Sequence, residues 1–250
     1  MGTELMTPGR NSIIEMLVSQ EPYYTLRARQ DHAKITGKKF IEKVIWFRNT
    51  DTGQLYHSLF PAIGWPAEIK DQDKGQSGYI CVVGVVKPKV PPKSYKTLDA
   101  KFQIIDEFQS KDVQVLLDEA VKMRERMGFG VTPELVSTWY GDADRFLTTL
   151  SLLNERLIMG RGEEYALTVT PPVDYYDPFS FDQYVRSIKS CILGNRLFFG
   201  DCDIIRNKLR RFDKDDPAIG AVGGLVHTLL TQVMWMDATE ETSFNVDEED

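Results

Sequence analysis

Two places in this sequence put carboxylates where an α/β protein does its chemistry. The first is Trp139-Tyr140-Gly141-Asp142-Ala143-Asp144, where a strand pattern gives way to a helical one. Asp142 would project from the carboxyl end of that strand, the edge at which open α/β sheets place their ligands. The second is Asp215-Asp216, directly before Pro217 and an apolar helical stretch over residues 218–234. Carboxylates are hard oxygen donors and suit Mg²⁺ or Mn²⁺. Two such ions a few Å apart activate a water and stabilise the leaving oxygen of a phosphodiester. Three or four acids from distant parts of the chain must then meet. Each position also has a plainer reading: an Asp before a helix satisfies its free N–H groups.

Other chemistries are not written here. GxxxxGK[ST], GxGxxG after a strand and GxSxG do not occur. Cys81, Cys191 and Cys202 have no CxxC spacing, and the histidines are His32, His57 and His227. Neither a zinc site nor a disulfide framework is expected, and a reducing cytoplasm fits. The net charge of −7 argues against coating nucleic acid by bulk charge. A local basic face remains: Arg206, Lys208, Arg210 and Arg211 would track a phosphate backbone or form a solvated helix surface. His227 and Gly223-Gly224 lie in an apolar helical pattern and read as packing residues. No apolar run approaches the roughly 18 residues that span a bilayer, and no secretion signal opens the chain.

These candidates need elements to position them. Hydrophobic residues make up 42% and charged residues 27%, enough for a real core. Residues 12–19 suggest a short helix, and 40–47 and 54–60 two strands joined by the turn Asn49–Gly53. The polar stretch 71–77 reads as a linker. Residues 79–86 form a continuous apolar run, the mark of a strand buried on both faces. Strands follow at 102–108, 136–140, 165–169 and 197–199. Helices are expected at 112–126, 142–155 (facing inward through Phe146, Leu147 and Leu150), from Ser180, which with Gln183 forms a capping box, from Asp201 as cap, and at 218–234. Pro217 stands at the first helical turn, where it is tolerated. Strands followed by alternating strand and helix imply an α/β fold with a mixed sheet flanked by helices. The expected organisation is an N-terminal extension over 1–77 with a short helix and a β-hairpin, an α/β domain over 78–236, and an acidic, disordered tail over 237–250.

The order of these segments, the stretch CILGNRLFFGDCDIIRNKLRRF (191–212) and the closing KDDPAIGAVGGLVHTLL (214–230) resemble the ribonuclease H-like nuclease domain of phage terminase large subunits. The resemblance covers residues 78–232 and implies a ribonuclease H-like mixed central sheet. It implies a metal-dependent DNA endonuclease that hydrolyses phosphodiesters with two Mg²⁺ or Mn²⁺ ions. Asp142, with Asp144 beside it, matches the family's second acidic position, and Asp215 and Asp216 match the third. The first position falls after Gly84-Val85 and holds Val86, so Asp106 or Glu107 on the next strand would have to substitute. The resemblance further implies double-stranded DNA as partner, contacted by Arg206, Lys208, Arg210 and Arg211, and a separate packaging ATPase or other phage assembly proteins. The alternative is a catalytically inactive nuclease-like binding or assembly protein of a phage or prophage.

Overall fold

The computed structural model describes residues 14–22, 41–66, 77–86, 100–128, 131, 134–139, 144–213 and 216–231. Among these, eight strands form one mixed sheet. Strands β1 (Ile14–Pro22), β2 (Ile41–Asn49), β3 (Leu55–Trp65), β4 (Gly78–Val86) and β5 (Phe102–Ser110) pair antiparallel in chain order. Strand β8 (Leu197–Phe198) adds to β5 in parallel. Strand β6 (Glu134–Trp139) lies parallel to the distal half of β3, and β7 (Thr168–Thr170) lies parallel to β6. One edge of β3 is thus shared: Leu55 and Tyr56 face β2, and Ala62 to Trp65 face β6.

Helices cover both faces of this sheet. On one side lie α1 (Val113–Arg126) and α2 (Asp144–Gly160), and on the other α3 (Ser180–Leu193), α4 (Asp203–Arg211) and α5 (Pro217–Thr231). Strand β4 explains the layering. Every one of its residues is buried. Ile80 and Val82 enter the core under α1 and α2, while Tyr79, Cys81, Val83 and Val85 enter the core under α3 to α5. A period of two places successive side chains on opposite faces, so a strand between two helical layers must be apolar throughout.

Helix α1 begins as expected: the Asp112 carboxylate accepts from Gln114 N at 2.8 Å. It ends before Gly128, whose φ of +58° suits glycine. The β2–β3 turn is also as read: Asn49 Oδ1 accepts from Thr52 N at 2.9 Å, and Gly53 takes φ +68°. The expected linker over 71–77, except Ser77, and the tail over 237–250 lie outside the described residues.

Several local expectations are corrected. The helix expected at 12–19 is strand β1, paired with β2 along nine residues. Its apolar residues (Ile14, Met16, Leu17 and Val18) fit either period over so short a run, and pairing along β2 decides for the strand. Leu147 faces outward at 42% exposure, and the inward stripe of α2 is Phe146, Leu150, Leu153 and Leu157. Ser180 is the first residue of α3 and makes no capping bond; Phe179 precedes it as cap. Cys202, not Asp201, stands at the cap of α4; it makes no side-chain capping bond, and its Sγ donates to the Ile104 carbonyl at 3.6 Å. The sheet also runs through the boundary expected at residue 77, since β3 pairs with β4 from Tyr56 to Gly64.

Candidate functional site

Strands β3, β6 and β7 run in one direction, so their carboxyl ends share one edge of the sheet. Gly64 and Trp65 of β3 lie beside Thr138 and Trp139 of β6 at that edge. Helix α5 starts there. A Cβ on Gly64 would collide with the Pro217 carbonyl oxygen, so only glycine lets the helix start rest on the strand. Further along, a Cβ on Gly224 would come within 2.6 Å of Pro172 and 3.0 Å of Thr138. The glycines of α5 are therefore seats for close packing, as their pattern suggests. Trp65 points to the opposite face and stacks on Phe146 at 6.5 Å between ring centroids.

Asp216 sits at the head of α5 and is buried. Its Oδ1 accepts from Ala218 N at 2.9 Å, a helix N-cap. Its Oδ2 accepts from Lys208 Nζ at 2.6 Å. The ammonium comes from the last turn of α4, where the helix dipole favours a cation. The edge thus gathers the end of β3, the end of β6 that leads to Asp142, and the Asp216 carboxylate with a cation on it. Asp142 and Asp215 lie outside the described residues. Asp144 is the first residue of α2 and is exposed.

Val86 is elsewhere. Strand β4 is antiparallel to β3, and Val86 pairs with Tyr56 while Tyr79 pairs with Gly64. Eight strand residues separate the two rows, so an acid at Val86 would lie about 26 Å from the edge that carries Gly64. The strand whose end adjoins β6 is β3, and LYHSLFPAIGW contains no acid.

The two candidate substitutes on β5 are both engaged in structural roles. Asp106 faces α1, away from α5, and accepts from Arg126 Nη2 at 2.6 Å. Arg126 also binds Glu119 at 2.8 Å. Burial raises the Asp106 carboxyl above its ordinary value, and the Arg126 contact draws it back only in part. Glu107 faces the other side. It accepts from Tyr79 Oη at 2.9 Å and from the backbone N–H groups of Ile204 and Ile205 at 2.7 and 3.0 Å. A carboxylate from the sheet therefore caps α4, which is why that helix needs no cap from its own chain neighbours. Among the described residues, no group of three or more Asp, Glu, His or Cys is arranged to hold a metal ion.

The basic helix face is α4. Arg206 is held by Asp203 at 2.6 Å and by the Gly200 carbonyl, while Arg210 and Arg211 are exposed at the helix end. Lys189 of α3 lies 4.6 Å over the Phe212 ring beside them. His227 is buried as expected, between Ser187 Oγ on Nδ1 at 3.0 Å and Asp174 Oδ2 on Nε2 at 3.3 Å. The three cysteines are free and buried. No described helix is long and apolar enough to cross a membrane.

No family model matches this chain, and no curated protein matches it in sequence. Sequence reasoning did not single out Glu107 as a cap, Gly64 as a seat, or Lys208 as the partner of Asp216. The sequence trace of the first is only a Glu in the strand FQIIDEFQS, whose helix partner lies 97 residues on.

Proposed function

We propose that this chain is a ribonuclease H-like nuclease module of the kind found in viral DNA-packaging terminases, acting on double-stranded DNA with Mg²⁺ or Mn²⁺. The observation that carries the reading is the meeting of the β3 end, the β6 end and the Asp216 cap at one sheet edge. The strand order supports the fold assignment. An antiparallel meander, β3-β4-β5, is followed by β6 and β7, added in parallel on the far side of β3. A mixed sheet with helices on both faces is compatible with a ribonuclease H-like fold.

A carboxylate is the donor type a hard cation takes, and Asp216 supplies one at this edge, where it is paired with the Lys208 ammonium. Asp216 would hold the metal together with Asp142, with Asp144 and Asp215 as neighbours. The bound ions would supply the activated water and the charge that stabilises the leaving oxygen. Arg210 and Arg211, exposed at the end of α4, bind the DNA backbone beside the edge.

A second reading has its own observation. At the end of β3, the residue facing α5 is Gly64, and the Pro217 carbonyl fills the space a side chain would need. A module with no acid there binds DNA or assembly partners without cutting. Incubation of purified protein with supercoiled plasmid and Mn²⁺ separates the two. The nuclease reading expects nicking and linearisation that Asp142→Asn and Asp216→Asn both abolish. Asn keeps a capping oxygen, so Asp216→Asn preserves the helix start. Retained DNA binding with intact plasmid selects the second reading, and loss of both activities discards the DNA assignment.

A further inference from the structure

We propose that the end of α4 and the adjoining face of α3 form a platform for single-stranded DNA, on which Phe212 stacks a base and Lys189, Arg210 and Arg211 hold the neighbouring phosphates. The inference rests on the reading above only for the contact of Arg210 and Arg211 with DNA, and uses neither a metal nor cleavage. Residues 180–211, from the start of α3 to the end of α4, carry seven Lys and Arg against three Asp, in a chain whose net charge is −7. A polyanion is the complement of such a face. Two of these cations are spent inside the fold, Arg206 on Asp203 and Lys208 on Asp216. Arg186, Lys189, Arg210 and Arg211 are exposed and pair with no carboxylate among the described residues.

Phe212 selects a single strand over a duplex. It closes α4 with φ +48°, the left-handed region that glycine or asparagine commonly supplies at a helix end and that a bulky side chain rarely takes. Packing does not account for the choice. Phe212 joins neither core cluster, and among the described residues its ring meets the Lys189 ammonium, 4.6 Å from the centroid. A strained aromatic outside the core, beside three cations, is placed for a ligand. Base stacking on an aromatic ring with cations along the backbone is how unpaired strands are held without regard to sequence. A duplex keeps its base faces stacked on one another and offers none to the ring. Lys189 joins the two helices across Phe212, and Arg186 lies one turn before it on α3, so the phosphates run from the end of α4 onto α3.

Fluorescence anisotropy of a labelled oligothymidylate about fifteen nucleotides long, titrated with the full chain, tests this. Phe212→Gly should weaken binding about tenfold, the size of one lost base stack. Its melting temperature should equal the parent's or rise, because glycine suits φ +48°. Phe212→Tyr keeps the ring and should keep the affinity. Lys189→Gln with Arg211→Gln should lower the logarithmic salt slope by about 1.4, as two lost phosphate contacts require. Undiminished binding by Phe212→Gly, with a duplex bound as tightly as the single strand, overturns the platform and leaves the DNA reading in place. A lower melting temperature for Phe212→Gly makes the ring a packing element and also overturns it. Leu193 is exposed one turn beyond Lys189, so phosphatidylserine vesicles are the control; binding to them and not to the oligonucleotide overturns the platform in favour of a membrane surface. Failure to bind either form of DNA overturns this inference and the DNA reading together.

Discussion

Glu107 ties three elements together, and its removal has a cost that can be worked from the structure. The carboxylate is 7% exposed and accepts from Tyr79 Oη, Ile204 N and Ile205 N at 2.7–3.0 Å. A hydrogen bond to a charged group contributes roughly 1.5–3 kcal/mol net, and a buried donor left without an acceptor costs about 1–3 kcal/mol. Glu107→Ala leaves the Tyr79 hydroxyl in that state, since Tyr79 is 1% exposed. The two amides at the head of α4 lose their cap but gain some water. The three losses share one acceptor and do not add in full. The expected destabilisation is roughly 3–5 kcal/mol, or on the order of 10 °C in melting temperature for a chain of this size. Glu107→Gln keeps an acceptor oxygen but loses the charge at the helix start, and should cost about half as much.

Urea unfolding followed by near-ultraviolet circular dichroism measures both variants. Tyr79→Phe completes a double-mutant cycle. Its coupling with Glu107→Ala should be of order 1 kcal/mol or more, because Ala strands the hydroxyl that Phe removes. Hydrogen exchange should show α4 opening first in Glu107→Ala, while β4 keeps its protection. A Glu107→Ala variant within about 1 kcal/mol of the parent, or strict additivity with Tyr79→Phe, would refute the capping argument.

Gly64→Ala should destabilise by about 2–4 kcal/mol, because the added methyl meets the backbone carbonyl of Pro217 rather than a movable side chain; a denaturation midpoint equal to the parent's would show that α5 does not rest on β3. Burial, with Glu107 adding to it, holds the Cys81 and Cys202 thiols far above their ordinary value of 9.0. A raised folded value means that the unfolded thiols lose protons first, so stability falls as pH rises past 9.0 by about 1.4 kcal/mol per unit for each thiol. A Cys81→Ala, Cys202→Ala variant should flatten that alkaline decline, and an unchanged slope would contradict it. Arg126→Met leaves Asp106 and Glu119 without their shared partner, and should cost about 1–2 kcal/mol at neutral pH, discounted because Arg126 is 34% exposed. Since the folded Asp106 carboxyl is already raised, it takes up a proton as pH falls toward 3.8, and the Arg126→Met deficit should shrink in that window.

How much of this was legible depends on whether a residue's partner is near it in the chain. Strand β4 was legible because burial on both faces leaves a continuous apolar run. Helix α1 was legible because its stripe (Leu116, Leu117, Ala120, Val121) and its Asp112 cap are local. The central strand was only half legible. The sequence reading stops it at Phe60. In the structure β3 runs on to Trp65, and Pro61 falls where β3 has left β2 and has not yet met β6. That extension decides the site, because it brings Gly64, not Val86, to the edge beside β6. An acid sought after an apolar strand was thus sought after the wrong one, on a strand running the opposite way.

The same distinction governs the candidate site. Asp216 before Pro217 reads as a cap from sequence alone, and it is one. Its second bond, to Lys208, crosses from one helix end to the next helix start and has no local signature. Lys208 reaches Asp216 only because α4 is seated, and α4 is seated by Glu107 from a strand 97 residues away. In turn Asp216 fixes the first turn of α5, whose Pro217 carbonyl rests on Gly64. The contacts form a single physical chain from β5 to the carboxyl edge of β3. The acids of this domain are therefore divided by work. Asp106 and Glu107 hold helices to the sheet, and Asp216 both starts a helix and holds a cation.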